Sequence, residues 1–143
     1  MVSDQMVCSA VTAATSLSRY VPTYMYRWDD VTEPFYFTTT DGGNILDGAY
    51  HSAELTALFP GWALPPADQL ATPDQTAVSF TAMTYWGSFA ADGDPSGEGV
   101  IPWPAFRRGE SVMSLQAAYD SEVLTAQVLE RASHCLLWDE IPG

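Results

Sequence analysis

A chain of 143 residues has the length of one ordinary domain, and its 47% hydrophobic and 13% aromatic content is that of a globular protein. A net charge of −13 with only five basic residues argues against nucleic-acid binding, which needs clustered Lys and Arg, and disfavours anionic membrane surfaces. No apolar run reaches the length of a membrane span, and the N-terminus lacks the basic segment and apolar core of a signal peptide.

The first segment, "SDQMVCSAVTAATSLSRY", reads as a helix. Met6, Val7, Ala10, Val11, Ala14 and Leu17 recur at helical spacing, and Ser3 or Asp4 can cap the start. Thr23 to Trp28 is β-branched and aromatic, which predicts a strand apolar enough to be buried on both faces. Residues 29–47 show no period, and Gly42-Gly43 in "TTTDGGN" is turn chemistry. "HSAELTALF" predicts one short helix stopped by Pro60-Gly61, and "ALPPADQLATP" reads as a connector.

The strongest helix signal begins at Thr72. Thr72 stands at the cap, Pro73 in the first turn and Gln75 where a capping box needs it. Val78, Ala82, Tyr85, Trp86 and Phe89 then form a stripe at 3.6-residue spacing, and Gly93 ends it. "DGDPSGEG" is a turn, "PWPAF" is irregular and "VMSLQ" is a short strand. A last helix is expected from Asp120, with Leu124, Val128, Ala132, Cys135 and Leu136 on one face. Two short strands do not make a stable sheet alone, so the pattern predicts part of a larger fold.

The chain has only two histidines, and the stretch "GAYHSAEL" places His51 between a glycine-rich loop and a short helix. An imidazole can take and return a proton near neutral pH, as acyl transfer requires. A lone histidine is more often structural, but loops carried on a scaffold often hold catalytic groups. The strained elbow G-x-S-x-G is absent from the chain. Ser52 adjoins His51 and Ser88 lies inside a predicted helix; both read as ordinary serines. Glu54 is one turn beyond His51, either supporting it or facing solvent at a helix start. His51 and His134 are distant, there is no C-x-x-C or H-E-x-x-H, and neither a metal nor any other cofactor is expected. Spacing alone leaves Cys8 and Cys135 as two free thiols or one bridge.

Six segments, in order, resemble the type B carboxylesterases, the group that includes the cholinesterases and fungal lipases. "SDQMVC" is similar to the family's S-D-x-x-F-x-C-P, "VPTYMYRWD" to P-V-Y-x-Y-x-F, and "GAYHSAEL" to G-x-x-H-G-x-E-L. "MTYWGSFAADGDPSG" is similar to M-x-x-Y-W-x-x-F-A-x-x-G-D-P-N, "WPAF" to W-P-x-Y, and "HCLLWD" to a terminal C-x-F-W. The resemblance implies an α/β fold: residues 1–143 as the C-terminal portion of an α/β-hydrolase domain, mostly helices with a few strands and incomplete by itself.

Carried over position by position, the resemblance makes His51 the base of a Ser-His-acid triad acting on a carboxylic ester. Glu54 matches the glutamate beside that site. Cys8 and Cys135 match a disulfide pair, which puts their α-carbons under about 7 Å apart and the parent protein in a secreted or periplasmic setting. The family's serine, triad acid and oxyanion glycines precede the segment matched here. Ser9 replaces a proline of the family pattern, and Ser52 replaces the glycine after the histidine. The alternatives are a non-catalytic cholinesterase-like interaction module, or weak hydrolysis by an improvised pair of His51 with Ser52 or Ser88. An incomplete domain is also expected to self-associate through its uncovered apolar stripe.

Overall fold

The computed structural model describes residues 2–32, 49–59, 72–107, 110–117 and 120–140. In chain order the elements are α1 (Val2–Leu17), β1 (Met25–Trp28), α2 (Glu54–Leu58), α3 (Pro73–Asp92), β2 (Val112–Leu115), β3 (Glu122–Leu124), α4 (Ala126–Ala132) and α5 (Cys135–Asp139). The three strands form one sheet in the order β1-β2-β3. The expected turn at Gly42-Gly43, the stop at Pro60-Gly61 and most of the connector before Thr72 lie outside the described residues. Among the described residues, no helix is long and apolar enough to cross a membrane.

The described chain divides into two compact units. The first comprises residues 1–26, 103–113 and 123–143. Its core gathers Val11 and Ala14 of α1, Met25 of β1, Phe106, Val112 of β2, and Ala126 and Leu129 of α4, with Val7 and Leu124 packed against them. Burying a Val- or Leu-sized side chain stabilises by about 1.5–3 kcal/mol, so this cluster is the unit's main support. Tyr24 and Tyr26 stand edge-on to the Trp103 ring, with centroids 6.4 and 6.1 Å away. Cys8 and Cys135 are joined by a disulfide, with α-carbons 5.4 Å apart across 127 residues of sequence.

Several local expectations need correction in this unit. Helix α1 begins at Val2, so Asp4 lies inside its first turn rather than at its cap. There the carboxylate still complements the helix dipole, and it lies 3.7 Å from Nδ1 of His134. Of the α1 stripe, Val11 and Ala14 are buried but Met6 and Leu17 are more than half exposed. The helix expected from Asp120 is instead β3, then α4, then α5. His134, with a left-handed φ of 52°, breaks the last two apart. The buried residues of this stretch are Ala126, Leu129, Ser133 and Cys135, whereas Val128 and Leu136 are exposed. β1 is buried on both faces only at its ends: Met25 and Trp28 point to opposite sides and are buried, Tyr26 between them is exposed, and every residue of β2 is buried.

The second unit comprises residues 27–102 and 114–122. Its frame is α3. Thr72 Oγ1 accepts from the Gln75 N–H at 3.2 Å and Gln75 Oε1 accepts from the Thr72 N–H at 2.9 Å, the reciprocal box expected. Gly93 closes the helix at φ 73°, its N–H on the Phe89 carbonyl. Val78, Ala82 and Tyr85 are fully buried, and Ser79 Oγ donates to the Ala57 carbonyl of α2 at 2.6 Å. The rest of the expected stripe differs: Trp86 is half-buried and Phe89 is exposed. Phe80, Met83 and Phe89 of α3 are exposed, among polar exposed positions such as Asp74 and Thr76.

Candidate functional site

His51 sits on a tight turn immediately before α2. The Ala53 N–H donates to the Tyr50 carbonyl at 3.1 Å, which makes Tyr50–Ala53 a four-residue turn with His51 second and Ser52 third. Ser52 has φ 71°, the left-handed conformation that type II turns require at their third position and that Gly or Asn usually fills. Holding an L-residue there costs roughly 1–2 kcal/mol. The glycine of the resembled pattern would remove that cost, so the Ser52 departure falls where the backbone makes glycine useful.

The turn is anchored from below. Ala53 is fully buried and Ala57 nearly so, the Leu55 N–H donates to the Ser52 carbonyl at 3.1 Å, and Thr56 Oγ1 donates to the Ala53 carbonyl at 2.8 Å. The buried alanines fix the helix start, and the left-handed residue lifts His51 outward, where it is exposed. Glu54 is half-buried in the first turn of α2, where its charge suits the helix dipole. His51 makes no hydrogen bond to another described residue. An accessible imidazole on a braced turn can exchange a proton with a group brought to it, but the described residues bring no nucleophile there.

Ser88 is packed elsewhere. A Cβ built on Gly97 would lie 2.8 Å from Ser88 Oγ and 2.6 Å from Thr84 Cγ2, so Gly97 lies directly over both side chains. Among the described residues, no group of three or more His, Cys, Asp or Glu could hold a metal ion.

A polar cluster at the end of β1 is not marked as a whole by any motif in the sequence. The Asp29 carboxylate accepts from Arg27 Nε at 2.7 Å and from the buried Ser114 hydroxyl. Gln116 Nε2 donates to Ser114 Oγ at 3.2 Å. Asp30 is only 1% exposed; its Oδ1 accepts from the Thr32 N–H and hydroxyl at 2.9 and 2.8 Å. Its Oδ2 is buried with no hydrogen-bond partner among the described residues. Asp with Thr two positions later is the sequence signal of such an Asx turn.

These elements have counterparts in solved esterases of the α/β-hydrolase fold. A PNB esterase structure matches with a TM-score of 0.65 and 26% identity, covering 88% of this chain and 24% of that one. The carboxylesterase family model matches residues 1–136, and the chain belongs to that family. Liver carboxylesterase 1 of Mus musculus is 28% identical over 141 residues, which are 90% of this chain and 24% of the mouse protein. Carboxylesterase 5A of Felis catus is 31% identical over 113 residues, 77% of this chain and 20% of the cat protein. The chain therefore spans about a quarter of the length of the relatives it matches.

Proposed function

We propose that this chain supplies the general base of a serine carboxylic-ester hydrolase, and that His51 is that base. The observation that carries the reading is the exposed imidazole held on a left-handed turn against the start of α2, within a carboxylesterase sequence. In the triad mechanism the imidazole takes the proton of the serine hydroxyl as the oxygen attacks the ester carbonyl. It then gives that proton to the departing alcohol, and water repeats the cycle on the acyl-enzyme. The serine, the acid that orients the imidazole and the oxyanion donors belong to the part of a carboxylesterase outside the quarter matched here. Residues 1–143 thus act as the C-terminal segment of an α/β-hydrolase domain.

Glu54 serves beside His51 as a carboxylate that steadies the turn and favours the imidazolium formed in mid-reaction. The reaction calls on no cofactor. The disulfide supports a secreted or periplasmic setting, since such bridges persist in oxidising compartments.

The test is p-nitrophenyl ester turnover by this chain alone, and by the chain joined to the remaining three quarters or so of the PNB esterase. Alone, it should show no turnover beyond that of its His51→Ala variant. Joined, it should show turnover that His51→Ala abolishes. Saturable turnover by the isolated chain that depends on His51 would contradict this division of labour and make Ser52 and Ser88 the first residues to mutate.

A further inference from the structure

We infer that the groove between the C-terminal turn of α1 and the segment 105–107 binds an amphiphilic organic anion, a carboxylate or sulfonate head on an apolar body, through Arg19 and Arg107. The groove has a volume of about 920 Å³ and is lined within the first unit by, among others, Arg19, Tyr20, Val21, Pro22, Phe106 and Arg107. That is near the upper end of the roughly 300–1,000 Å³ typical of small-molecule sites.

Its walls are fixed by the backbone. The Phe106 N–H donates to the Thr23 carbonyl at 2.7 Å, tying one wall to the other. The Tyr20 and Val21 N–H groups both turn back onto the Leu17 carbonyl, at 2.9 and 3.1 Å. Phe106 is buried, whereas Tyr20 is 85% and Val21 52% exposed, so an apolar body would meet both a buried ring and an open one.

The charge pattern names the ligand class. The chain holds 18 acidic and only five basic residues, yet two of its arginines line this one groove. Arg27 shows what the acidic excess ordinarily does to a guanidinium, since its Nε lies 2.7 Å from the Asp29 carboxylate. Arg19 and Arg107 are exposed and make no ion pair or side-chain hydrogen bond with any described residue. A cation after the last turn of α1 suits the helix dipole, which accounts for Arg19 but not for Arg107. Guanidinium forks hold carboxylate or sulfonate oxygens in parallel hydrogen bonds, and the apolar lining takes the body. The net charge of −13 repels a polyanion, which restricts the ligand to a small one of low charge.

The test is calorimetric titration of the 143-residue chain with 1-naphthoate and with its neutral isostere 1-naphthamide, in low salt. Naphthoate should bind saturably and at least tenfold more tightly than the amide. Arg19→Gln and Arg107→Gln should each weaken it about tenfold, and Val128→Ser on α4 should not. Arg107→Lys, which keeps the charge and loses the fork, should fall between. Equal binding of naphthoate and naphthamide by the unmutated chain, naphthoate binding indifferent to both Gln variants, or no saturable binding at millimolar naphthoate would overturn the proposal.

Discussion

In the unit built from α1, α4 and α5, a disulfide ties Cys8 to Cys135 across 127 residues, and a buried cluster joins Val11 and Ala14 of α1 to Ala126 and Leu129 of α4. In the unit built from α2 and α3, support comes from capping, from the hydrogen bonds of Ser79 and Tyr85, and from one buried face, while Phe80, Met83 and Phe89 face outward. The first arrangement makes a scaffold. The second carries the candidate base on a strained turn, and both units expose apolar side chains, Leu17 and Leu136 in the first, Phe80 and Met83 in the second. The candidate base and the covalent closure thus lie in different units.

Removing the disulfide should produce the largest change in stability. A loop of this length is worth about 4–5 kcal/mol in the chain-entropy model. Urea unfolding with and without reductant, or of Cys8→Ser, should show a loss of that order. A midpoint indifferent to reduction would erase the contrast between the units.

In the second unit, Gly97→Ala is the sharper probe. The added methyl would meet Thr84 and Ser88 at under 3 Å. Thr84 is β-branched, with its hydroxyl already on the Phe80 carbonyl at 2.8 Å, so relief is limited. The expected cost is about 1–3 kcal/mol in denaturant unfolding.

Tyr85→Phe should cost about 1–2 kcal/mol, because its hydroxyl donates to the Ile101 carbonyl at 2.8 Å and the ring is fully buried. Burial pushes the Tyr85 phenol up to about 12 from the usual 10.0. The folded state therefore holds this proton more tightly than the unfolded chain does. The Tyr85 contribution should be fully present below pH 10 and decline as pH rises through 10 towards 12. Tyrosinate absorbance should show a late phase that Tyr85→Phe removes.

Ser52→Gly should have the smallest effect and the opposite sign. Relief of the left-handed strain, less the extra backbone entropy of glycine, leaves a gain of about 0.5–1 kcal/mol. A loss of stability would mean that the Ser52 side chain contributes more than its backbone costs.

The parts legible in the sequence were those specified by neighbours in the chain. Thr72, Pro73 and Gln75 announce the start of α3 because the whole device spans four residues, and Gly93 announces its end for the same reason. Glu122–Leu124 reads as the start of a helix because three residues carry no period; their strand state comes from β2, which sequence spacing does not reveal. The break at His134 is equally non-local: the helical spacing of Val128, Ala132, Cys135 and Leu136 continues past it, and only the backbone shows the left-handed residue. Asp29 and Asp30 are tied into the end of β1 by Arg27, Ser114 and Thr32, partners that composition alone does not reveal. At the candidate site, the position of His51 before a helix was legible, but the left-handed state of Ser52 was not, since serine gives no sign of it.

The proposal that His51 is a base whose nucleophile lies on another part of a carboxylesterase is tested by serine labelling in a hybrid enzyme. Residues 1–143 are joined to the portion of the PNB esterase outside the matched quarter. The rate of serine labelling by a fluorophosphonate is then followed in the folded hybrid, checked by circular dichroism. Labelling needs only the serine, its base and the oxyanion donors, so it isolates the proton transfer from product release. His51→Ala should slow labelling by ~10⁴-fold or more, as loss of a triad base does elsewhere. Glu54→Gln should slow it by less than about tenfold, as expected of a group that acts through the histidine. A folded hybrid that labels at the same rate with and without His51 would contradict the claim.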